Sequence, residues 1–270
     1  MVIHGDSTVK RKGPSGAALQ VIASCCVRTS RAWAALVLLG CVAACGLALA
    51  EASAVWLKWT PAGGDGTPEG WKPQTFRNIP RHTRYEVVSE DGTYVVKAQA
   101  NASASGLIHP LDLDAREHRI LRWRWKVENL IDKADLRRKE GDDYPARIYV
   151  AFAYDPARAG VAQRIRYEAA RLLYGEYPPH AGLNYVWDGK APVGTVAPNV
   201  FTDRVRMIVV ESGPAHLQRW LHYERDVYAD YRQAFGEEPP RISGVAIMTD
   251  TDGTGERAVA WYGDLSLSPR

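Results

Sequence analysis

The clearest pattern in the chain is a period of two. Ile120-Leu121-Arg122-Trp123-Arg124-Trp125-Lys126-Val127 alternates apolar and cationic residues over a full strand length. This predicts a β-strand with Leu121, Trp123, Trp125 and Val127 in a core and Arg122, Arg124 and Lys126 on the opposite face. The same period runs through residues 146–154, with Ile148, Val150, Phe152 and Tyr154 on one side and Arg147, Tyr149, Ala151 and Ala153 on the other. Residues 84–90 and 93–100 form two further runs, joined by Asp91-Gly92, a two-residue turn of the kind hairpins prefer. Residues 56–59, 183–187 and 204–210 add shorter strands, and 242–248 with 258–267 make a second hairpin across 249–255. Residues 61–70 and 101–106, rich in Gly, Pro or small residues, read as connections, and 132–143 as a charged loop or exposed helical turn.

Two stretches switch to the helical period. Ile165, Ala169, Leu172 and Leu173 recur at helical spacing within 163–174, ahead of Gly175 and Pro178-Pro179. A longer helix is expected from an N-cap at Ser212, with Pro214 in its first turn, to Phe235 before Gly236. Its stripe would be Leu217, Trp220, Leu221, Val227, Tyr228, Tyr231 and Phe235. Strands outnumber helices and regular βαβ alternation is lacking. The expected fold is therefore mainly β, an antiparallel β-sandwich with two or so helices packed at its edge.

Residues 1–50 read differently from the rest. Arg28 and Arg31 precede an apolar run, 32–50, that ends in Ala48-Leu49-Ala50, the order of a secretory signal. Cleavage after Ala50 is the first reading. Acylation at Cys45 and an uncleaved membrane anchor of about 19 residues are the other two. Each implies export, to the periplasm or beyond, with the membrane touched only through this segment. The division is thus an N-terminal extension (1–27), a signal or anchor (28–50) and one folded domain (51–270).

Five of the 34 basic residues but one of the 31 acids lie before residue 51, so the domain is close to neutral. That sets nucleic acid aside as a partner. All four cysteines (Cys25, Cys26, Cys41 and Cys45) fall in the leader, which excludes thiol catalysis and thiolate metal sites from the domain. Nucleophile-elbow, zinc-protease and phosphate-loop signatures are missing.

Several longer motifs carry a resemblance. They are Lys139-Glu140-Gly141-Asp142-Asp143-Tyr144-Pro145-Ala146-Arg147, Leu183-Asn184-Tyr185-Val186-Trp187, Glu224-Arg225-Asp226-Val227-Tyr228-Ala229-Asp230-Tyr231, Met248-Thr249-Asp250-Thr251-Asp252 and Trp261-Tyr262-Gly263-Asp264. Together they resemble the bacterial family known as domain of unknown function 3047. The resemblance implies an exported bacterial protein and supplies no catalytic residues. The closing strands and the Leu-Arg-Trp-Arg-Trp run are also similar in pattern to galactose-binding-like jelly-roll modules that bind carbohydrate, a likeness of fold that does not supply function.

Three constellations are candidates for chemistry. If strands 120–127 and 146–154 are neighbours, Arg122, Arg124, Arg147 and Tyr149 line one surface, with Asp142 and Asp143 at its rim and Asn184 and Trp187 extending it. Such a groove would bind a sugar, or an anionic polysaccharide through bidentate arginines. The bland alternative is a solvated face of cross-strand ion pairs. Glu224 within the helical stripe is expected to pair with Arg204 or Arg206 and lock helix to sheet. Asp250, Asp252 and Thr254 match the start of a calcium loop, but Trp261 stands where a bidentate Glu belongs, so a plain turn is the first reading and no cofactor is expected. The functional expectation is non-catalytic binding of an envelope or extracellular glycan. The alternatives are a polysaccharide hydrolase or lyase, with Asp142, Asp143, Asp226 and Asp230 as candidate acids, and a structural envelope protein.

Overall fold

The computed structural model describes residues 54–61, 67–157, 159–174 and 177–270. The leader, with its signal, lipidation and anchor readings, and the Gly175 helix stop lie outside the described residues. Fourteen strands follow in order: β1 (Val55–Leu57), β2 (Lys72–Gln74), β3 (Arg84–Glu90), β4 (Thr93–Asn101), β5 (Ala104–Leu113), β6 (Ile120–Val127), β7 (Arg147–Phe152), β8 (Ala181–Asp188), β9 (Val196–Asn199), β10 (Thr202–Ser212), β11 (Leu221–Asp226), β12 (Ile242–Asp250), β13 (Arg257–Tyr262) and β14 (Leu265–Ser268). Helix α1 (Val161–Tyr174) follows β7, and α2 (Val227–Phe235) follows β11.

They form two seven-stranded sheets, so the β-sandwich expected from the alternation is present. The first sheet runs β1-β14-β6-β13-β4-β3, with β11 also paired to β6; the second runs β2-β5-β12-β7-β8-β10-β9. Every pairing is antiparallel except β8 with β10. β6 is the centre of its sheet. β13 and β14 run beside it as one strand broken at Gly263, whose N–H donates to the Arg124 carbonyl (2.9 Å). A Cβ at Gly263 would lie 2.4 Å from the Arg124 side chain, so any larger residue at the break has to displace that arginine.

The inward faces meet as the period of two requires. Leu121, Trp123, Trp125 and Val127 are buried against Ile148, Val150, Phe152, Leu183, Tyr185 and Trp187 in one core. The Trp123 ring lies 5.3 Å from Tyr185 of the opposite sheet and 5.3 Å, stacked, from Tyr223. The β3–β4 hairpin is as expected, with Asp91 (φ 52°) and Gly92 (φ 75°) both left-handed, as a two-residue primed turn demands.

Three expectations are corrected. The long helix is not formed: residues 221–226 are β11, paired with β6 from Leu221↔Trp125 to Asp226↔Ile120, and only 227–235 are helical. Leu221, Tyr223 and Arg225 alternate with His222, Glu224 and Asp226, so the stretch also fits a strand. The open edge of β6 decides between the readings by supplying partners for its backbone. Asp226, not Ser212, caps the helix, accepting from the Ala229 N–H (2.9 Å). The closing hairpin does not exist either. β12 pairs with β5 and β7 in the second sheet and β13 with β4 and β6 in the first, so 251–256 cross between sheets.

Residues 104–106, read as part of a connection, begin β5, and the short strands β2 and β9 carry no alternation long enough to betray them. Finally, the apolar stripe of α1 faces solvent, because the helix packs instead through Tyr167, which stacks on Tyr154 (3.7 Å).

Candidate functional site

The outward face of the second sheet carries an open cleft of about 710 Å³. Its floor follows from register. Tyr149 lies beside Ala246 of β12, which lies beside Ile108 of β5; Arg147 lies beside Met248, which lies beside Gly106. Small side chains at Gly106, Ala151 and Ala246 keep this floor low. Walls come from three connections: 75–79 with Phe76 and Ile79, 139–143 with Asp142 and Asp143, and 199–202 with Asn199 and Phe201. The loop after β12, with Asp252 and Gly253, closes one end.

That end is strongly polar. Arg147 is fully buried and committed to the protein. Its Nε donates to Asp250 Oδ1 (2.8 Å), one terminal nitrogen pairs with Asp250 Oδ2 and donates to the Asp142 carbonyl (3.2 Å), and the other donates to the Tyr149 hydroxyl (3.3 Å). Asp143 is buried and ties the end loop down, accepting from the Gly253 (3.2 Å) and Thr254 (2.6 Å) N–H groups. Asp142 Oδ2 accepts from Asn199 Nδ2 (3.0 Å), while its Oδ1 is buried with no hydrogen-bond partner among the described residues.

Four carboxylates thus surround one guanidinium. Burial, opposed by Arg147 and Asn199, pushes the Asp142 carboxyl above its ordinary range. Burial and then Asp143 push Asp252 up as well. Burial likewise raises the Tyr149 hydroxyl. Ligand oxygens of Asp143, Asp250 and Asp252 all lie within 4.8 Å of one another, so this group could hold a metal ion. The Thr254 backbone N–H donates to Asp143 (2.6 Å), and its hydroxyl accepts from the Glu256 N–H (3.4 Å). Asp143, 107 residues upstream of Asp250, joins the two aspartates of the loop.

The expected single groove is divided. Asp142, Asp143, Arg147 and Tyr149 are in the cleft. Arg122 and Arg124 are on the other sheet, because β6 and β7 are not neighbours, and there they flank a shallower hollow with Trp56, His222 and Glu224. Asn184 lies on the cleft side of β8 but is buried under β10, donating to Met207 Sδ (3.3 Å). Trp187 is core.

Glu224 is exposed on β11 and pairs with Arg122 (2.7 Å) rather than with Arg204 or Arg206. Arg204 donates to His180 (3.2 Å), and Arg206 donates to the Asp203 carbonyl (2.5 Å) and sits over Phe235. Of the four candidate acids, Asp226 is held by Arg119 (2.5 Å) and Asp230 by Arg225 (2.5 Å) and Tyr185 (2.8 Å), both outside the cleft lining. Phe76, Asn199 and Phe201 were missed, since isolated loop residues carry no periodicity. The floor residue Ala246 did leave a signal, since it and Gly244 alternate as small residues with Val245 and Ile247 in β12.

The family described as "Protein of unknown function (DUF3047)" matches residues 69–266. No curated protein matches the chain by sequence. Among solved structures it is similar to the family 11 carbohydrate-binding module of a cellulosomal cellulase of Clostridium thermocellum (TM-score 0.40, 9% identity, covering 80% of this chain and 95% of that one). It is also similar to that organism's family 11 module in complex with a beta-1,3-1,4-mixed-linked tetrasaccharide (0.38, 8%, 80% and 96%). A third similar structure is the K1 cleaved adhesin domain of Lys-gingipain of Porphyromonas gingivalis (0.35, 9%, 81% and 99%).

Proposed function

The chain belongs to the DUF3047 family, so we infer its role from the cleft alone and propose that it binds, without turning over, a neutral glycan of the cell envelope or the extracellular space. One observation carries the reading: a long open cleft with aromatic rings on its floor and rims (Tyr149, Phe76 and Phe201) and hydrogen-bonding groups at one end (Asp142, Asn199 and Asp252). A sugar ring offers an apolar face for the first and hydroxyls for the second. A neutral ligand fits that end best, because Arg147 is spent on Asp250 and Asp142, Asp143 and Asp252 outnumber Lys139, whose ammonium lies over the Phe201 ring (5.6 Å); Arg77 is the other cation of the walls. This replaces the bidentate arginine grip expected for a uronic polysaccharide. Export through the leader is part of the proposal and is checked by fractionating cells.

A glycan array on the purified protein tests the binding. Neutral glycans should be retained and polyuronates not. Phe201→Ala should weaken retention about tenfold, from the loss of one aromatic contact, with no change in melting, since Phe201 is 63% exposed. No retention of any glycan sinks the reading.

One observation favours a second, hydrolytic reading: two carboxyls, Asp142 and Asp252, are raised in pKa within the cleft, as an acid catalyst requires. Release of reducing ends from a retained glycan, abolished in Asp252→Asn, would establish it. A calcium ion held by Asp143, Asp250 and Asp252 is also proposed, because their ligand oxygens lie within 4.8 Å of one another. It requires a higher melting temperature in calcium than in chelator.

A further inference from the structure

Helix α1 turns the usual arrangement inside out. Val161, Ile165, Ala169 and Leu172 recur at i, i+4, i+8 and i+11, one face of a helix. That face is in solvent: Val161 is 76% exposed, Ile165 67% and Leu172 83%. The opposite face holds the helix to the protein through Tyr167, which stacks on Tyr154 (3.7 Å, 8° between planes) and donates to the Pro179 carbonyl (3.3 Å).

Three of the four charges beside the stripe are positive. At about 100° per residue, Arg164 and Arg171 fall along one border and Arg166 along the other. The only acid in the helix, Glu168, is already engaged by Arg171 (3.0 Å) and by the Tyr177 hydroxyl (2.5 Å). Arg164 donates to the Ala159 carbonyl (3.0 Å), and neither it nor Arg166 forms an ion pair among the described residues.

An apolar stripe flanked on both sides by arginine is the pattern of a helix lying in a membrane interface, its aliphatic residues among acyl chains and its guanidinium groups at the headgroups. We propose that α1 docks the domain flat on an anionic lipid surface. A protein partner is the poorer fit, because the stripe is narrow and convex and the charges at its borders without an ion pair among the described residues, Arg164 and Arg166, are both cationic. The helix, at 14 residues, is about 21 Å long, and no helix among the described residues is long and apolar enough to cross a membrane. The contact is therefore interfacial and independent of how the leader behaves.

Hydrogen exchange of residues 161–174 in the full-length protein tests this, because it reads the helix itself whether or not the leader holds the protein to the vesicle. With vesicles of phosphatidylglycerol and phosphatidylcholine, exchange should slow at least several-fold relative to phosphatidylcholine alone, and the protection should fade as salt is raised. Ile165→Glu with Leu172→Glu should abolish the protection and leave the melting temperature unchanged, since both residues are exposed. Exchange unaffected by anionic vesicles, equal protection by phosphatidylcholine alone, or protection that grows with protein concentration without any vesicle would each overturn the proposal, the last by assigning the face to a second copy of the chain.

Discussion

Arg122 of β6 and Arg147 of β7 have the same local sequence pattern, an arginine on the non-core face of an alternating strand, and they have opposite fates. Arg122 is half-exposed and pairs across to Glu224, which is more exposed still (2.7 Å). Its neighbours follow suit: Arg124 lies over the Trp220 ring, and Lys126 pairs with Glu90 between the Trp220 and Trp261 rings. Arg147 is 2% exposed and held at four points. The difference lies in what covers each sheet. The outward face of the first sheet carries the side chains of its strands and, over Arg124 and Lys126, the Trp220 ring of the connection before β11, whereas that of the second is walled by connections from four parts of the chain. A pattern that marks a solvated face in one sheet therefore marks the floor of a site in the other.

This contrast predicts a graded series. The largest effect belongs to Arg147→Met, which leaves Asp250 charged, buried and alone and should destabilise by about 3–5 kcal/mol in chemical denaturation. Adding Asp250→Leu should recover most of that loss. If the double variant is as unstable as the single one, the cost is packing rather than stranded charge, and the contrast with β6 fails.

Asp226→Ala, at the edge of the first sheet, removes both the cap of α2 and the partner of Arg119 and should cost about 1–2 kcal/mol. Although burial opposes it, Arg119 and the Ala229 N–H hold the Asp226 carboxyl below its ordinary range. Its contribution is therefore present above the unfolded carboxylate pKa of about 4 and is lost as pH falls through the lower folded value. The gap between wild type and Asp226→Asn should close in acid. Smallest is Arg122→Met, expected to change stability by no more than about 1 kcal/mol, because an exposed pair gains little over its hydration. An effect as large as that of Arg147→Met would erase the distinction between the two faces.

Much of the fold was legible because alternation is a local property. Leu121 to Val127 and Ile148 to Phe152 are in the core as expected, and Asp91-Gly92 makes the hairpin. Arg147 and Tyr149 were placed correctly on the non-core side, and Asp142 and Asp143 at its rim. What failed required knowing a neighbour. Residues 221–226 satisfy both periods, so the helix and strand readings were separated only by the free edge of β6. The stripe of α1 marks the helix, as expected, but helical period reports that one face differs from the other, not which of them is inside.

Taken alone, the sequence determined which residues are in register with one another along each strand, and hence the two-faced character of β6 and β7, since the side-chain period of an extended chain is fixed by its covalent geometry. It also determined that all four cysteines and five of the basic residues fall within residues 1–50, leaving 51–270 almost neutral and cysteine-free. Only the tertiary structure decided that β6 and β7 belong to different sheets, that 251–256 cross between them, and that Asp143 meets Asp250 and Asp252 around a buried arginine. Those are contacts between residues about a hundred positions apart, and they are settled by how strand edges find partners and how loops cover a face.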